Sequence, residues 1–143
     1  MKGIGERLKN LRENENISQR QMSRLLGLLE NGYANYEHEH TEPSIKKIVL
    51  LAEILHTSVQ YIIIGETLTV EFDKEVTPFP QRLRELRKKK QLTQTEVASE
   101  LGIRKATYQG YEYNKYEPKL DKLLQLADLF DVTLDELLGR NEK

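Results

Sequence analysis

TQTEVASELGIRKATYQGYEY, residues 93–113, has the pattern of two short helices that meet at a glycine. Thr93 can cap the first helix, and Glu96, three residues later, can reach back to the N–H of the cap, which makes a capping box. Apolar residues four apart then lie on one face of that helix. Gly102 supplies a left-handed turn that other residues adopt only at a cost. The stretch therefore predicts a helix-turn-helix.

The second helix of this stretch carries positive charge where a helix disfavours it. It starts at about Arg104, and Tyr108 and Tyr111 lie three apart on its inner face. Cations in the first turn oppose the helix dipole, at a cost of about 0.3 to 1 kcal/mol each. An anion opposite them removes that cost, and Arg, Lys and Gln are side chains that bind base edges in a major groove. We therefore favour DNA contact over a solvated basic face. The outward positions are Arg104, Lys105, Thr107, Gln109 and Gly110.

Composition excludes several classes of protein. The chain has 143 residues, a net charge of −1 and no cysteine, so a nucleic-acid site must be a local basic patch and thiolate ligands are absent. No apolar run approaches the ~20 residues that span a bilayer, and we expect a cytoplasmic chain with no membrane partner. Residues 37–40, EHEH, place histidines two apart, which do not share a helix face. We predict no metal, no cofactor and, since no nucleophile and base combination is visible, no enzyme.

The sequence matches itself at an offset of 75 residues. Gln19 aligns with Gln94 and Pro43 with Pro118, and many apolar positions coincide. A repeat of this kind has to be recognised before the fold is assigned. We predict an all-α chain of two repeated five-helix domains, residues 1–65 and 78–143, joined by an acidic linker at 66–77. In each copy helix 4 follows the proline, and helix 5 starts near Ser58 or at Thr133.

Both copies resemble the phage-repressor class of helix-turn-helix domains, the XRE family. The second copy carries the most specific features, with Gln94 opening helix 2, Gly102 and Ile103 at the turn, and Tyr111 and Glu112 closing helix 3. The resemblance covers about residues 4–65 and 79–139. It implies a five-helix fold and sequence-specific binding to an operator in double-stranded DNA. It also implies a transcriptional regulator, for which we expect a repressor acting as a homodimer.

The resemblance assigns roles to residues of the second copy. It implies that Thr93 and Gln94, at the amino end of helix 2, contact phosphates together with the loop after helix 3. It also implies that Arg87 near the end of helix 1 pairs with Glu112, and Arg12 with Glu37, as structural ion pairs. The loop residues are Tyr113, Asn114, Lys115 and Tyr116. The residues expected to face base edges are Arg104, Lys105, Ala106, Thr107, Gln109 and Gly110.

The first copy departs from the second at these positions. It has Leu29, Glu30, Asn31, Gly32, Ala34 and Asn35 in their place. Glu30 would repel phosphate, and Asn31-Gly32 is a turn signal inside the expected helix, where Gly costs roughly 1 kcal/mol relative to Ala. We expect a degenerate recognition helix, kinked or shortened, that leaves Leu29 for a protein partner. Two alternatives stay open. In one alternative both copies read DNA, the first copy through Asn31 and Asn35. In the other the protein is an interaction module of the antitoxin or antirepressor type.

Residues 68–72, LTVEF, alternate apolar and polar side chains inside the expected linker, which is a strand pattern. A lone strand cannot satisfy its own backbone groups. The segment either stays a solvated linker or pairs with the same strand of a second chain and forms a dimer. As an extended linker it would reach past one turn of DNA, about 34 Å.

Overall fold

The computed structural model describes residues 3–143 and divides the chain into two compact units, Met1–Thr69 and Val70–Lys143. Residues 1 and 2, with which the expected first domain begins, lie outside the described residues. Within residues 3–143, none of the helices combines the length and the apolar character that crossing a membrane requires.

The first unit consists of helices that begin at side-chain caps. Ser18 forms a capping box with Gln21, and the hydroxyls of Ser44 and Ser58 accept the backbone N–H groups three residues on. Leu8, Met22, Ile48, Leu51 and Ile62 are fully buried between the helices. The predicted starts of helices 4 and 5 are therefore confirmed. The helices are α1 Ile4–Asn14, α2 Gln19–Leu25, α3 Ala34–Glu37, α4 Ile45–Ile54 and α5 Val59–Ile64.

The second unit has helices at closely corresponding positions. Its core is formed by Leu83, Leu123, Leu126 and Leu134, all of which are buried. Thr133 caps the last helix by accepting the backbone N–H of Glu136 at 3.1 Å. The helices are α6 Phe79–Lys89, α7 Gln94–Leu101, α8 Lys105–Glu112, α9 Leu120–Phe130 and α10 Leu134–Leu137.

The third helix differs most between the two units. α3 has 4 residues, whereas α8 has 8. The residues before α3 form turns, with the N–H of Gly32 donating to the carbonyl of Leu29 at 2.9 Å. The predicted shortening of helix 3 in the first copy is confirmed, and Asn31-Gly32 lies where the missing turns of helix would be.

A two-stranded antiparallel sheet corrects the all-α prediction. β1, Phe72–Val76, pairs with β2, Arg140–Glu142, so that Phe72 lies opposite Glu142 and Val76 opposite Arg140, with an irregular register. The strand overlaps the predicted 68–72 pattern only at Phe72, and residues 68–71 form no strand. The strand is not solvated on both edges, and it pairs within its own chain because residues after α10 offer it their backbone groups. Its residues belong to the second unit.

Side chains hold the sheet against the helices of the second unit. The Arg140 guanidinium pairs with Asp135 at 2.8 Å, and both side chains are buried. The same guanidinium lies 4.0 Å from the centre of the Phe72 ring, a cation–π contact. Gly139 turns the chain into β2 with φ 99°, and its carbonyl accepts the N–H of Thr77 at 2.7 Å. The far end of the expected linker is thereby fastened to α10.

Candidate nucleic-acid interface

Local capping and one long-range contact position α7. The Thr93 hydroxyl accepts the N–H of Glu96 at 3.1 Å and the Glu96 carboxylate accepts the N–H of Thr93 at 3.0 Å, so the predicted capping box is confirmed. Gly102 ends the helix with φ 67°, the predicted left-handed turn. Lys122 from α9 donates to the carbonyl of Leu101 at 3.0 Å. Both ends of α7 are therefore held.

The inner face of α8 is apolar and aromatic, as predicted. Tyr108 is fully buried and Tyr111 nearly so, and their rings meet edge to face with centres 6.1 Å apart. Ala98 of α7 is also buried, and its small side chain allows α8 to approach closely. This packing determines which residues of α8 face outward.

The outward face of α8 is cationic at its amino end. Arg104, Lys105 and Ala106 are exposed, while Thr107 and Gln109 are half-buried. No side chain caps the helix, so the N–H groups of its first turn have no side-chain acceptor there. Within residues 3–143, neither the Arg104 nor the Lys105 side chain has an ion-pair or hydrogen-bond partner. Two charges and the positive end of a helix dipole thus lie together without a counter-charge from the described chain.

Gly110 does not face outward, which corrects its predicted position. The residue is buried, and a Cβ atom added to it would lie 2.0 Å from Cδ2 of Tyr116. Gly110 therefore makes room for the Tyr116 ring and cannot present a surface to a base edge. Its carbonyl accepts the N–H groups of Lys115 at 2.8 Å and Tyr116 at 3.1 Å, which folds the following loop against α8.

The loop after α8 is otherwise exposed as expected. Tyr113, Asn114 and Lys115 are all open to solvent, and Asn114 adopts φ 59°. Asn is one of the residues that tolerates this left-handed conformation. Tyr116 combines its contact with Gly110 with an exposure of 58%. Its predicted contact with phosphate stays a prediction.

The predicted ion pair between Arg87 and Glu112 is confirmed. Arg87 Nε donates to one carboxylate oxygen at 2.7 Å and Nη2 to the other at 3.1 Å, a bidentate arrangement. The Glu112 side chain is 0% exposed and the Arg87 side chain 13%. Arg87 Nη1 also donates to the carbonyl of Leu92 at 3.0 Å. The pair joins α6 to the end of α8.

The corresponding pair in the first unit is confirmed as well. Arg12 Nε donates to Glu37 at 2.6 Å and Nη2 at 3.1 Å. In each unit, burial alone would raise the pKa of the glutamate, but hydrogen bonds and the charge of the arginine hold the pKa of Glu37 and of Glu112 below the ordinary value. Both carboxylates are therefore ionised at neutral pH and act only as acceptors.

Two glutamines continue the hydrogen bonds outward from Glu112. Gln94 Nε2 donates to Glu112 Oε1 at 3.1 Å, and Gln94 Oε1 accepts from Gln109 Nε2 at 2.9 Å. Sequence reasoning had assigned Gln94 to a phosphate and Gln109 to a base but did not foresee that they contact each other. The one signal available was the repetition of Gln94 as Gln19, which donates to Glu37 at 2.9 Å.

The matching surface of the first unit is apolar and acidic. Leu29, which aligns with Arg104, is 88% exposed, and Leu25 is 53% exposed. Glu30, which aligns with Lys105, forms an exposed ion pair with Arg20. Asn31 is exposed and Asn35 half-buried. Residues 29–35, which lead into this shortened third helix, thus include no cation of their own, and the nearby Arg20 is paired with Glu30.

Comparison with known proteins places both halves of the chain in one class. A family model described as "Helix-turn-helix domain" matches residues 5–67, and one described as "Helix-turn-helix" matches residues 83–137. No solved structure matches the chain significantly.

Three relatives illustrate the similarity. The HTH-type transcriptional regulator AnsR of Bacillus subtilis is 55% identical over 62 residues, 43% of this chain and 53% of AnsR. The SPbeta prophage-derived uncharacterized HTH-type transcriptional regulator YonR of Bacillus subtilis is 34% identical over 80 residues, 56% of this chain and 73% of YonR. The cryptic phage CTXphi transcriptional repressor RstR of Vibrio cholerae is 38% identical over 64 residues, 45% of this chain and 58% of RstR.

The matched segment spans about half the length of AnsR. YonR is matched over 73% of its own length, and a helix-turn-helix model matches each half of the chain. The chain therefore belongs to the phage-repressor, or XRE, family of helix-turn-helix proteins.

Proposed function

We propose that this protein is a sequence-specific DNA-binding transcriptional regulator whose second unit inserts α8 into the major groove. The observation that carries the proposal is the pair Arg104 and Lys105, exposed at an uncapped helix start with no counter-charge in the described chain. DNA phosphates and the acceptor atoms of guanine would supply the missing partners. The printed names of AnsR and YonR as transcriptional regulators support the same conclusion.

The proposed contacts divide into two sets. Phosphates would be bound by the amino end of α7 at Thr93 and Gln94 and by the exposed loop of Tyr113, Asn114 and Lys115. Bases would be bound by Arg104 and Lys105, which can donate to guanine, by Gln109, and by the methyl groups of Ala106 and Thr107, which can contact thymine. Gly110 is left out of this set because Tyr116 covers it.

The buried side of the second unit supports this role by making α8 rigid. Arg87 and Glu112 tie the end of the helix to α6, while Arg84 Nη1 donates to the carbonyl of Glu112 at 2.5 Å. Lys122 holds the end of α7 from α9. A recognition helix held at several points keeps its side chains in one arrangement, which base discrimination requires.

We further propose that the two units are copies of one domain and that the first has lost DNA reading. α1 and α6 have bounds offset by 75 residues, and both units use an arginine–glutamate pair and a lysine cap on the second helix. The first unit lacks the cations and half of the third helix. With one complete recognition helix per chain, a two-fold homodimer would bind half-sites about 34 Å apart.

We propose that the protein acts as a repressor. A compact DNA-binding chain can repress by covering a promoter, and no additional contact with polymerase is needed. The name of RstR, a transcriptional repressor, supports this role.

Selection of bound duplexes from a random pool tests the proposed function. The full chain should enrich one palindromic sequence, and its affinity should fall linearly with salt concentration on a logarithmic scale. Replacing Arg104 and Lys105 with alanine should abolish enrichment, whereas the matched change of Asn31 and Asn35 should leave it unchanged. Equal losses from the two double variants would show that the first unit also reads DNA. No enrichment and no salt-dependent binding would refute the proposal.

A second candidate function is supported by the apolar surface at Leu25 and Leu29. Large apolar side chains this exposed are typical of protein contacts. In this alternative the protein sequesters a partner, as an antitoxin or antirepressor does, and binds DNA little by itself. Absence of binding to any duplex at low salt would favour it over the first proposal.

A further inference from the structure

A cavity of about 450 Å³ lies between α6, the start of α10 and the two-stranded sheet of the second unit. Its volume is within the range of small-molecule sites, about 300 to 1,000 Å³. The residues that line it all differ from those proposed above to contact DNA. The lining includes three buried side chains, those of Arg82, Leu86 and Arg140. The cavity is therefore a candidate ligand site apart from the DNA interface.

Arg82 brings a buried cation to the wall of this cavity, and its hydrogen-bond acceptors in the described chain are neutral. Its guanidinium donates to the carbonyl of Glu136, to the hydroxyl of Thr77 at 3.2 Å and to the side-chain oxygen of Asn141. Nη1 makes one of these bonds and Nη2 makes two, which leaves two of the five guanidinium N–H groups for another partner. Its one ion pair among the described residues is with Glu85, whose side chain is 53% exposed and lies 3.7 Å away.

The other arginines of similarly low exposure have a buried acid beside them. Arg12, Arg87 and Arg140 each pair with a carboxylate whose side chain is at most 4% exposed. A charge removed from water without a close counter-charge is unfavourable, because its lost hydration is not replaced. An anionic group of a ligand placed beside Arg82 would therefore be stabilised there.

The first unit contains the equivalent arginine without the sheet. Arg7, which aligns with Arg82, donates to the carbonyls of Ile62 at 2.9 Å and Ile63 at 2.7 Å, near the end of the last helix of its unit. Arg7 is only half-buried, and no strand follows α5 within the first unit as far as the structure describes it. The sheet, and the cavity wall that it forms, is thus an addition to the fold that the two units share.

The exposed rim of the cavity carries mostly the opposite charge. Glu85, Glu136 and Glu142 are exposed lining residues, and Lys89 is the cation among them. A simple anion would be attracted by Arg82 but repelled by the rim, and a simple cation would meet the reverse. A small molecule with both a carboxylate and an ammonium group satisfies both parts of the cavity.

We propose that this cavity binds a free α-amino acid with an apolar side chain. The carboxylate of the ligand accepts hydrogen bonds from Arg82 and from Lys89 Nζ, while its ammonium group donates to the rim carboxylate of Glu136. The apolar side chain packs on Phe72 and Leu86, which also line the cavity. Each charge of the ligand then faces a group of opposite sign.

α6 connects this cavity with the recognition helix. It carries Arg82 and Lys89 at the cavity and also Arg84 and Arg87, both of which bond to Glu112 at the end of α8. A ligand that binds the free and the DNA-bound chain unequally changes the affinity for the operator, and we expect a change of about fivefold or more. This effector role rests on the proposed function, whereas the ligand site does not.

Calorimetric titration of the full chain with each standard amino acid tests the site in the absence of DNA. At least one apolar amino acid should bind to a single site per chain. Its N-acetyl derivative lacks the positive charge and its methyl ester lacks the negative charge. Each derivative should bind at least about tenfold more weakly than the parent amino acid, because one charged hydrogen-bonding group is lost.

Substitutions at the exposed rim show which end of the ligand each residue contacts. Lys89→Gln and Glu136→Gln should each weaken binding of the amino acid by about two- to fivefold. Lys89→Gln should leave the affinity for the methyl ester unchanged, and Glu136→Gln should leave that for the N-acetyl derivative unchanged. Lys88→Gln and Glu100→Gln are matched controls, since both residues are exposed and lie outside the cavity lining.

Replacement of the buried cation is the stronger test. Arg82→Gln should abolish detectable binding, whereas Arg7→Gln in the first unit should leave it unchanged. Because Arg82 also bonds to the carbonyl of Glu136 in α10, thermal unfolding must show that the second unit of this variant is folded at the temperature of the titration. The rim variants decide the question if it is not.

The outcomes separate the ligand site from the proposed function. If no amino acid binds, or if both derivatives bind as tightly as the parent, the inference is overturned. It is also overturned if the variants of Lys89 and Glu136 bind no more weakly than their controls. Binding that leaves the Kd for a selected operator unchanged removes the effector role and keeps the site. If no operator is selected, the proposed function and the effector role fail together, and calorimetry still decides the site.

Discussion

Removal of the Glu112 carboxylate should destabilise the second unit before it affects DNA binding. The side chain is 0% exposed and accepts two hydrogen bonds from Arg87 and one from Gln94. Glu112→Ala would leave the Arg87 guanidinium, itself only 13% exposed, without its counter-charge. Breaking one side of a fully buried pair costs about 3 to 5 kcal/mol. Because Arg87 keeps its bond to the carbonyl of Leu92, we expect the lower end of that range, about 3 kcal/mol.

Thermal unfolding of the full chain measures this cost. In a domain of this size each kcal/mol shifts the midpoint by about 4 to 8 °C, so the transition of the second unit should fall by roughly 12 to 24 °C. Glu37→Ala is the matched control, since Glu37 is bonded to Arg12 and Gln19 in the same way. It should lower the transition of the first unit by a similar amount and leave DNA affinity unchanged.

The binding measurement must be made well below both transitions. There, Glu112→Ala should still bind duplex DNA, with reduced affinity because Gln94 has lost its anchor. The opposite result, an unchanged midpoint together with abolished binding, would refute the structural role of the ion pair and would make Glu112 part of the DNA contact itself.

Two further predictions concern acid stability and the sheet. The pKa of Glu37 and of Glu112 is lower in the folded chain than the ordinary 4.5, so their stabilising contribution is complete above about pH 4.5 and is lost as pH falls through the folded values. Urea midpoints measured between pH 7 and pH 3 should therefore decline less in the Glu37→Gln, Glu112→Gln double variant than in the wild-type chain. Gly139→Ala would place a Cβ atom 1.8 Å from the carbonyl oxygen of Thr77 at φ 99°, so it should detach β2, reduce the free energy of unfolding of the second unit by at least about 1 kcal/mol and lower its urea midpoint accordingly. An unaltered midpoint would mean that the sheet contributes nothing to stability.

Much of the fold could be predicted because its signals are local. Thr93 and Glu96 lie within one turn of each other, and Gly102 needs no distant partner to adopt its left-handed conformation. The shortening of α3 followed from Asn31-Gly32 for the same reason. These features depend on the bonding and backbone preferences of residues that are neighbours in the chain, which a sequence displays directly.

The errors arose where distant segments meet. A strand pattern was predicted at residues 68–72, but the strand lies at 72–76, opposite β2, which is three residues long and has no pattern of its own. Gly110 was expected to face outward because helical spacing gives the direction of a side chain but does not show that Tyr116 folds back over it. The bond between Gln94 and Gln109 joins two helices, and neither residue signals it alone.

The sequence by itself determined that this chain has two helix-turn-helix units, that the second carries cations at the start of its third helix and that the first has none at the matching positions, because capping, periodicity and charge are properties of short segments. Only the tertiary structure decided that Gln109 bonds to Gln94, that Gly110 is covered and that the linker strand closes on its own unit. Those outcomes depend on which donors and acceptors come within about 3 Å of each other, and that is settled by how the helices pack.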